Sequence, residues 1–134
     1  VALWGLKKLK RVIKLRNANA KYYDQKLSVL TKFVKIPRRI NNFRETFALY
    51  MILCKRRNQL KKFLEKSNIE VKIHYPKALN NQPAFRKKNY KRNTFNFKNS
   101  DKQSKMLLTL PVHQFISRRQ QDFLIKKMKQ FYEY

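Results

Sequence analysis

Glycine is almost missing from this sequence: Gly5 is the only one in 134 residues. That excludes a glycine-rich phosphate cradle and a dinucleotide-binding fingerprint, both of which need several glycines for the backbone to approach a phosphate. Gly5 falls near the start of a helical pattern, where it is expected to mark a close approach to a neighbouring element. Cysteine is as scarce. Cys54 alone permits no internal disulfide, and together with His74 and His113 it shows no metal-ligand spacing, so no metal site is expected. It sits in an apolar run, where a thiol is usually inert. Acidic residues number seven and are scattered singly, which argues against paired carboxylates for acid/base work. No stretch approaches the ~20 uncharged residues of a membrane span. Apolar residues 1–6 precede the basic run from Lys7, the reverse of a secretory signal. The expectation is a single domain in the cytoplasm with no membrane partner.

What the chain has in excess is positive charge: 34 Lys and Arg against seven acids, a formal +27. Such a chain attracts polyanions through counterion release whatever its role. Ten Phe, seven Tyr and one Trp interleave these charges, which superficially suits base stacking. Lys and Asn are both abundant, however, as AT-biased coding produces, and then the charge is largely a solvated face. Composition leaves a small nucleic-acid or polyanion-binding module open as one reading.

Along the chain, Leu6, Leu9, Ile13, Ala20, Tyr23 and Leu27 recur at helical spacing, and Arg16 falls on the same stripe. One long amphipathic helix from Leu6 to about Leu30 follows, too long for the small sheet after it, so part of it is expected to pack against something else. Phe33-Val34-Lys35-Ile36 reads as a short strand stopped by Pro37. Residues 47–53, apolar on both faces, read as a central strand. Residues 58–66 place Leu60, Phe63 and Leu64 on one side of a short helix that Ser67-Asn68 can stop. Ile69, Val71 and Ile73 alternate with Glu70, Lys72 and His74, a half-buried strand. Ser100-Asp101-Lys102-Gln103 and Ser117-Arg118-Arg119-Gln120 both fit a capping box, the second opening a terminal helix. Residues between Phe85 and Phe97 show no period and read as an exposed, mobile loop. The fold class is α+β: a long N-terminal helix, then a small, mainly antiparallel three-stranded sheet with helices packed on it.

One local motif invites chemistry. Pro76 forces Tyr75 into an extended backbone, so His74 and Tyr75 sit at a strand's end. There an imidazole and a phenol can both donate to an anionic oxygen. His74 can instead cap the sheet edge while Tyr75 fills core space, and spacing alone favours that reading.

The stretch Ile73-His74-Tyr75-Pro76 through Asn80-Asn81-Gln82-Pro83-Ala84-Phe85 resembles the His-Tyr-Pro…Gln-Pro-Ala-aromatic loop of the DegT/DnrJ/StrS sugar aminotransferases. The likeness extends over nearly the whole chain. Ala2-Leu3-Trp4-Gly5-Leu6 is similar to the start of the helix leaving the family's cofactor domain, and Arg16 through Tyr22-Tyr23-Asp24 to its Arg…Ala-x-x-Tyr segment. Phe47-Ala48-Leu49-Tyr50, Phe97 through Ser104, and Leu108-Thr109-Leu110-Pro111 fall in family order. Ala78, Asn80-Asn81, Phe85 and Lys88-Asn89 depart from the commoner family residues, which bears on the identity of the sugar.

The resemblance implies a homodimeric transaminase of fold type I. It would use pyridoxal phosphate to move an amino group, usually from glutamate, onto a keto nucleotide-sugar for glycan or surface-polysaccharide synthesis. It also implies that residues 1–134 are one C-terminal small domain, without the N-terminal cofactor-binding domain. Neither the Schiff-base lysine nor the cofactor contacts stand in this chain, which alone should be inactive and only marginally stable. By family position His74 and Tyr75 approach the substrate pyrophosphate, and Asn80 can hydrogen-bond a sugar oxygen. A third reading is a remnant that pairs with a separate large-domain chain. Nucleic acid is then expected to bind only non-specifically, through charge.

Overall fold

Ala20, Tyr23 and Leu27 do share one helix face. In the computed structural model, which describes residues 2–86 and 97–133, they lie fully buried on helix α1 (Ala2–Leu27). A 3-10 turn, Ser28–Leu30, ends the helix and drops Leu30 into the core. Then come β1 (Val34–Lys35), β2 (Tyr50–Cys54), α2 (Arg57–Lys66), α3 (Pro83–Arg86), α4 (Lys98–Met106), β3 (Leu107–Leu110) and α5 (Arg118–Phe131). The aperiodic loop expected before Phe97 lies mostly outside the described residues.

The sheet has three strands in the order β1-β2-β3, all antiparallel, with Val34 opposite Cys54 and Tyr50 opposite Leu110. The apolar run ending at Leu53 is indeed the central strand, but it begins only at Tyr50. Tyr50, Ile52 and Cys54 are buried, while Met51 is exposed and Leu53 half-buried, so one face of the strand is closed and the other partly open. The third strand is not the alternating segment 69–73. That place is taken by Leu107–Leu110, which pairs with β2 over four residues, and the alternating segment is reduced to a single bridge between Lys72 and Thr109. Alternation marked the half-buried character of 69–73 correctly, but it could not show which segment would lie beside β2.

Two helix ends are worked out in detail. Ser67-Asn68 does stop α2: Asn68 takes the left-handed conformation (φ 58°), its N–H donates to Glu65 O and that of Ile69 to Leu64 O. These are the two bonds of a Schellman motif, with Asn in place of the usual Gly. At α5 the expected capping box is present, the Ser117 hydroxyl accepting from Gln120 N and the Gln120 side chain accepting from Ser117 N. The box expected at Ser100 is not used. α4 starts earlier, at Lys98, so that Ser100 is already helical, and Asp101 N bonds back to Phe97 O at 3.0 Å.

The core gathers Leu60 and Leu64 of α2, Leu108 and Leu110 of β3, and Leu124 and Met128 of α5 around Tyr23 and Tyr50. Each such aliphatic side chain contributes about 1.5–3 kcal/mol by leaving water. A fully buried glutamine, Gln121, ties α5 to α1: its amide donates to Asn19 O at 3.1 Å and its oxygen accepts from Arg118. Its hydrogen-bonding capacity is used, so its burial carries little penalty. Beyond the core the apolar stripe of α1 continues into solvent, with Leu3 77%, Leu6 61% and Leu9 46% exposed. A side chain at Gly5 would meet nothing within 4 Å among the described residues, so no close packing is seen there within this chain.

Candidate functional site

The Schellman turn after α2 sends the chain back along β3, where Lys72 and Thr109 exchange backbone hydrogen bonds of 3.1 and 2.7 Å. That bridge sets His74 beside β3, at the border of a cleft of about 650 Å³. α1 contributes Arg16 to the cleft wall, the turn after β3 contributes His113, and α5 contributes Arg119 and Phe123. Three basic side chains (Arg16, Lys72 and Arg119) border it against one carboxylate, Glu70. Glu70 is itself engaged by the Lys72 ammonium at 2.9 Å, and that hydrogen bond holds its carboxyl below the usual range. The field in the cleft is therefore positive, suited to an anionic ligand. Arg16 is steadied by the Gln114 side chain at 3.4 Å. His113 accepts at Nδ1 from the backbone N–H of Phe115 at 3.3 Å, which leaves its Nε2 as the protonated ring nitrogen.

His74 is half-buried, and its Nδ1 lies 2.9 Å from Thr109 Oγ1. The neighbouring Tyr75 stands outside the cleft wall, 72% exposed, its ring edge-on to the imidazole at 5.8 Å between centroids. Asn80 is elsewhere again. It lies in the 3-10 turn Leu79–Asn81, where its amide donates to Asp101 Oδ1 at 3.1 Å, next to the Asn81 amide on the same oxygen. The structure thus joins His74 to the cleft, leaves Tyr75 at its outside edge, and anchors Asn80 to α4.

Sequence reasoning singled out His74 but passed over Lys72 and Glu70. The signal was present: Glu70, Lys72 and His74 are the polar members of one alternating run, so they share a face. Ile116, Arg119, Gln120 and Phe123 follow helical spacing at the start of α5, a second signal. Arg16 and His113 come to the same cleft from nearly a hundred residues apart, and no local pattern announces that.

The model of one aminotransferase family, DegT/DnrJ/EryC1/StrS, matches residues 1–129. The chain belongs to that family. Among its relatives is a pleiotropic regulatory protein of Geobacillus stearothermophilus, 27% identical over 94% of this chain and 34% of the relative. A DegT DnrJ EryC1 StrS aminotransferase from Brucella abortus superposes with a TM-score of 0.88 at 27% identity, over 98% of this chain and 34% of that one. The fold is shared too with DesV of S. venezuelae, solved in complex with a ketimine intermediate (TM-score 0.86, 21% identity, 96% of this chain and 34% of that one). The chain therefore spans about a third of the length of these relatives.

In the complete enzymes of this DegT/DnrJ/EryC1/StrS family the cofactor is pyridoxal phosphate. The residues of this cleft do not fit that group. Its one lysine, Lys72, is 63% exposed and paired with Glu70, and its one carboxylate is spent on that pair. A cofactor aldehyde and pyridine nitrogen need an enclosed amine and a free acid, and neither borders the cleft. No helix among the described residues is long and apolar enough to cross a membrane.

Proposed function

We propose that this chain is the substrate-facing C-terminal domain of a pyridoxal-phosphate-dependent aminotransferase. The enzyme transfers an amino group, from glutamate, to a keto nucleotide-sugar in glycan or surface-polysaccharide synthesis, as a cytoplasmic homodimer. The observation that carries this reading is the family match running through residues 1–129 together with a positive cleft bordered by His74. In it, the His74 ring donates to a pyrophosphate oxygen from the cleft wall, and the Tyr75 phenol approaches the same anion from outside. Arg16, Lys72 and Arg119 supply the field that draws a dianion in. Among the described residues nothing donates to the Asn80 carbonyl oxygen, which can accept from a sugar hydroxyl while its amide is held by Asp101. No residue of this chain supplies the Schiff-base lysine, so the domain by itself binds but does not transaminate. The exposed Leu3, Leu6 and Leu9 stripe is the surface that the cofactor-binding domain covers.

Calorimetric titration with UDP-glucose, as a nucleotide-diphosphate sugar, tests the binding half of this reading. Affinity should persist when salt is raised to about 0.3 M, and His74→Ala should weaken it about tenfold, the loss of one charge-assisted hydrogen bond. Should UDP-glucose bind no better in the wild type than in His74→Ala, and fall away with salt as steeply as a short RNA does, the polyanion-binding reading takes its place.

A further inference from the structure

We infer that Thr109 is a positioning residue: its hydroxyl fixes the His74 ring and its tautomer so that an Nε2–H faces the cleft. The inference rests on the reading of His74 as a substrate contact and adds the group that makes it one. Thr109 is buried, and three of its groups hold the same short segment. Its N–H donates to Lys72 O at 2.7 Å, its carbonyl accepts from Lys72 N at 3.1 Å, and its Oγ1 meets His74 Nδ1 at 2.9 Å. The two backbone bonds form the one isolated bridge by which residues 69–74 join the sheet among the described residues. The side-chain bond then decides how the imidazole is turned at the end of that bridge.

The chemistry of the pair follows from what each atom can do. A threonine hydroxyl both donates and accepts. When it donates to Nδ1, the neutral ring must carry its hydrogen on Nε2. When the ring is an imidazolium, the hydroxyl rotates and accepts from Nδ1–H, and Nε2 again carries a hydrogen. In both of these states the nitrogen left free is an N–H donor, which is what a phosphate oxygen requires; a neutral ring donating Nδ1–H to the hydroxyl would instead turn a lone pair toward the anion, and this is the arrangement the inference excludes. His74 Nε2 makes no hydrogen bond to the described residues, so it is available to a ligand. Leu108 and Leu110 flank Thr109 and enter the core, so alternation along β3 turns Thr109 to the opposite face of the sheet. On that face its hydroxyl meets His74.

Thr109→Val tests this with little change of shape, since valine keeps the β-branch and both backbone bonds and loses only the hydroxyl. Ring nitrogens of His74 are read by two-bond 1H–15N spectra of the 134-residue chain, during titration with inorganic pyrophosphate at about 0.3 M salt, above the range where loose ion pairing dominates. The wild type should show the Nε2–H tautomer when neutral, with Nε2 shifting on titration. Thr109→Val should show mixed tautomers and about tenfold weaker pyrophosphate binding, and Thr109→Ser should restore both. An Nδ1–H tautomer in the wild type overturns the inference without any variant. So does a Thr109→Val protein with the wild-type tautomer and affinity. If pyrophosphate leaves Nε2 unmoved in the wild type, the substrate reading of His74 fails instead, and the tautomers alone then judge Thr109.

Discussion

Above about pH 10 the chain should lose its fold over a narrow interval, because four of its most deeply buried side chains must be neutral in the folded state. Tyr23, Tyr50 and Cys54 are fully buried and Tyr132 nearly so. Each phenol donates its proton to an oxygen: Tyr23 to Pro111 O at 3.0 Å, Tyr50 to Asp24 Oδ1 at 2.7 Å, and Tyr132 to Lys55 O at 2.6 Å. Burial pushes all three phenols well above their ordinary 10.0, and at Tyr50 the Asp24 carboxylate adds to the rise. Burial likewise pushes the Cys54 thiol up to about 12 from 9.0. The unfolded chain gives up these protons from about pH 9 for the thiol and pH 10 for the phenols, while the folded chain keeps them. Between those values and the raised ones the unfolded state binds fewer protons, so stability falls as pH rises. The contribution is intact below the ordinary values. Each group costs about 1.4 kcal/mol per pH unit in that window, so all four together remove about 5 kcal/mol per unit, comparable with the whole stability of a small domain. Tyrosinate absorbance and far-UV circular dichroism followed together against pH check this. The share of the absorbance change due to the three buried phenols should appear together with the loss of the helix signal, and ionisation of all seven tyrosines with the helix signal intact would contradict it.

Asp24→Ala should cost about 3 kcal/mol, the largest single-residue effect expected outside the apolar core. Asp24 takes a two-pronged hydrogen bond from Arg39, Nε at 3.0 Å and Nη2 at 2.9 Å, and a third from the buried Tyr50 hydroxyl at 2.7 Å. The bond to Asp24 holds the Arg39 guanidinium above its ordinary range. The same guanidinium stacks over the rings of Phe47 and Tyr50 at 4.9 and 5.4 Å. Residues 36–49 contain no helix or strand, and Arg39 is their main tie to α1, helped by Asn17 donating to Glu45 O at 2.8 Å. Removing the carboxylate leaves a buried phenol without an acceptor and the Arg39 cation with only its longer pair to Glu45 at 3.4 Å. Both ions are part-exposed, at 30% and 26%, so solvent screening keeps the figure below that of a fully buried pair. Urea unfolding should show a lower midpoint for Asp24→Ala and a smaller shift for Asp24→Asn, which keeps an acceptor for Tyr50. In a double-mutant cycle with Tyr50→Phe the two losses should overlap rather than add. Strict additivity would show that the network is not one unit.

How much of this was legible follows the range of the interactions. Helical spacing located α1 and α5, and Ser117 with Gln120 marked the start of α5, because these depend on neighbours within a turn or two. The stop at Asn68 was readable for the same reason. The identity of the third strand was not: Ile69, Val71 and Ile73 carry a clean alternation, yet Leu107–Leu110 won the place beside β2. Pairing is decided by which segment brings Leu108 and Leu110 into the core, and that is a long-range fact. At the site, His74 was found through its resemblance to a family motif rather than through spacing. Arg16 lay on the helical stripe and Thr109 in a segment similar to the family, but that the first reaches the cleft and the second meets the His74 ring are long-range facts. Asn80 was reached through the same resemblance, but only the structure could show that Asp101 already takes its amide.

The central proposal is that this chain supplies the substrate contacts of an enzyme whose lysine lies on another domain. The direct measurement is amino-sugar formation from a keto nucleotide-sugar, glutamate and pyridoxal phosphate. It is made with this chain alone, with the part of the Brucella abortus relative that this chain does not span, and with the two mixed. Turnover in the mixture only, lost again when His74→Ala replaces the wild-type chain, is the predicted result. Turnover by this chain alone, or by the other part at an undiminished rate without it, would contradict the account.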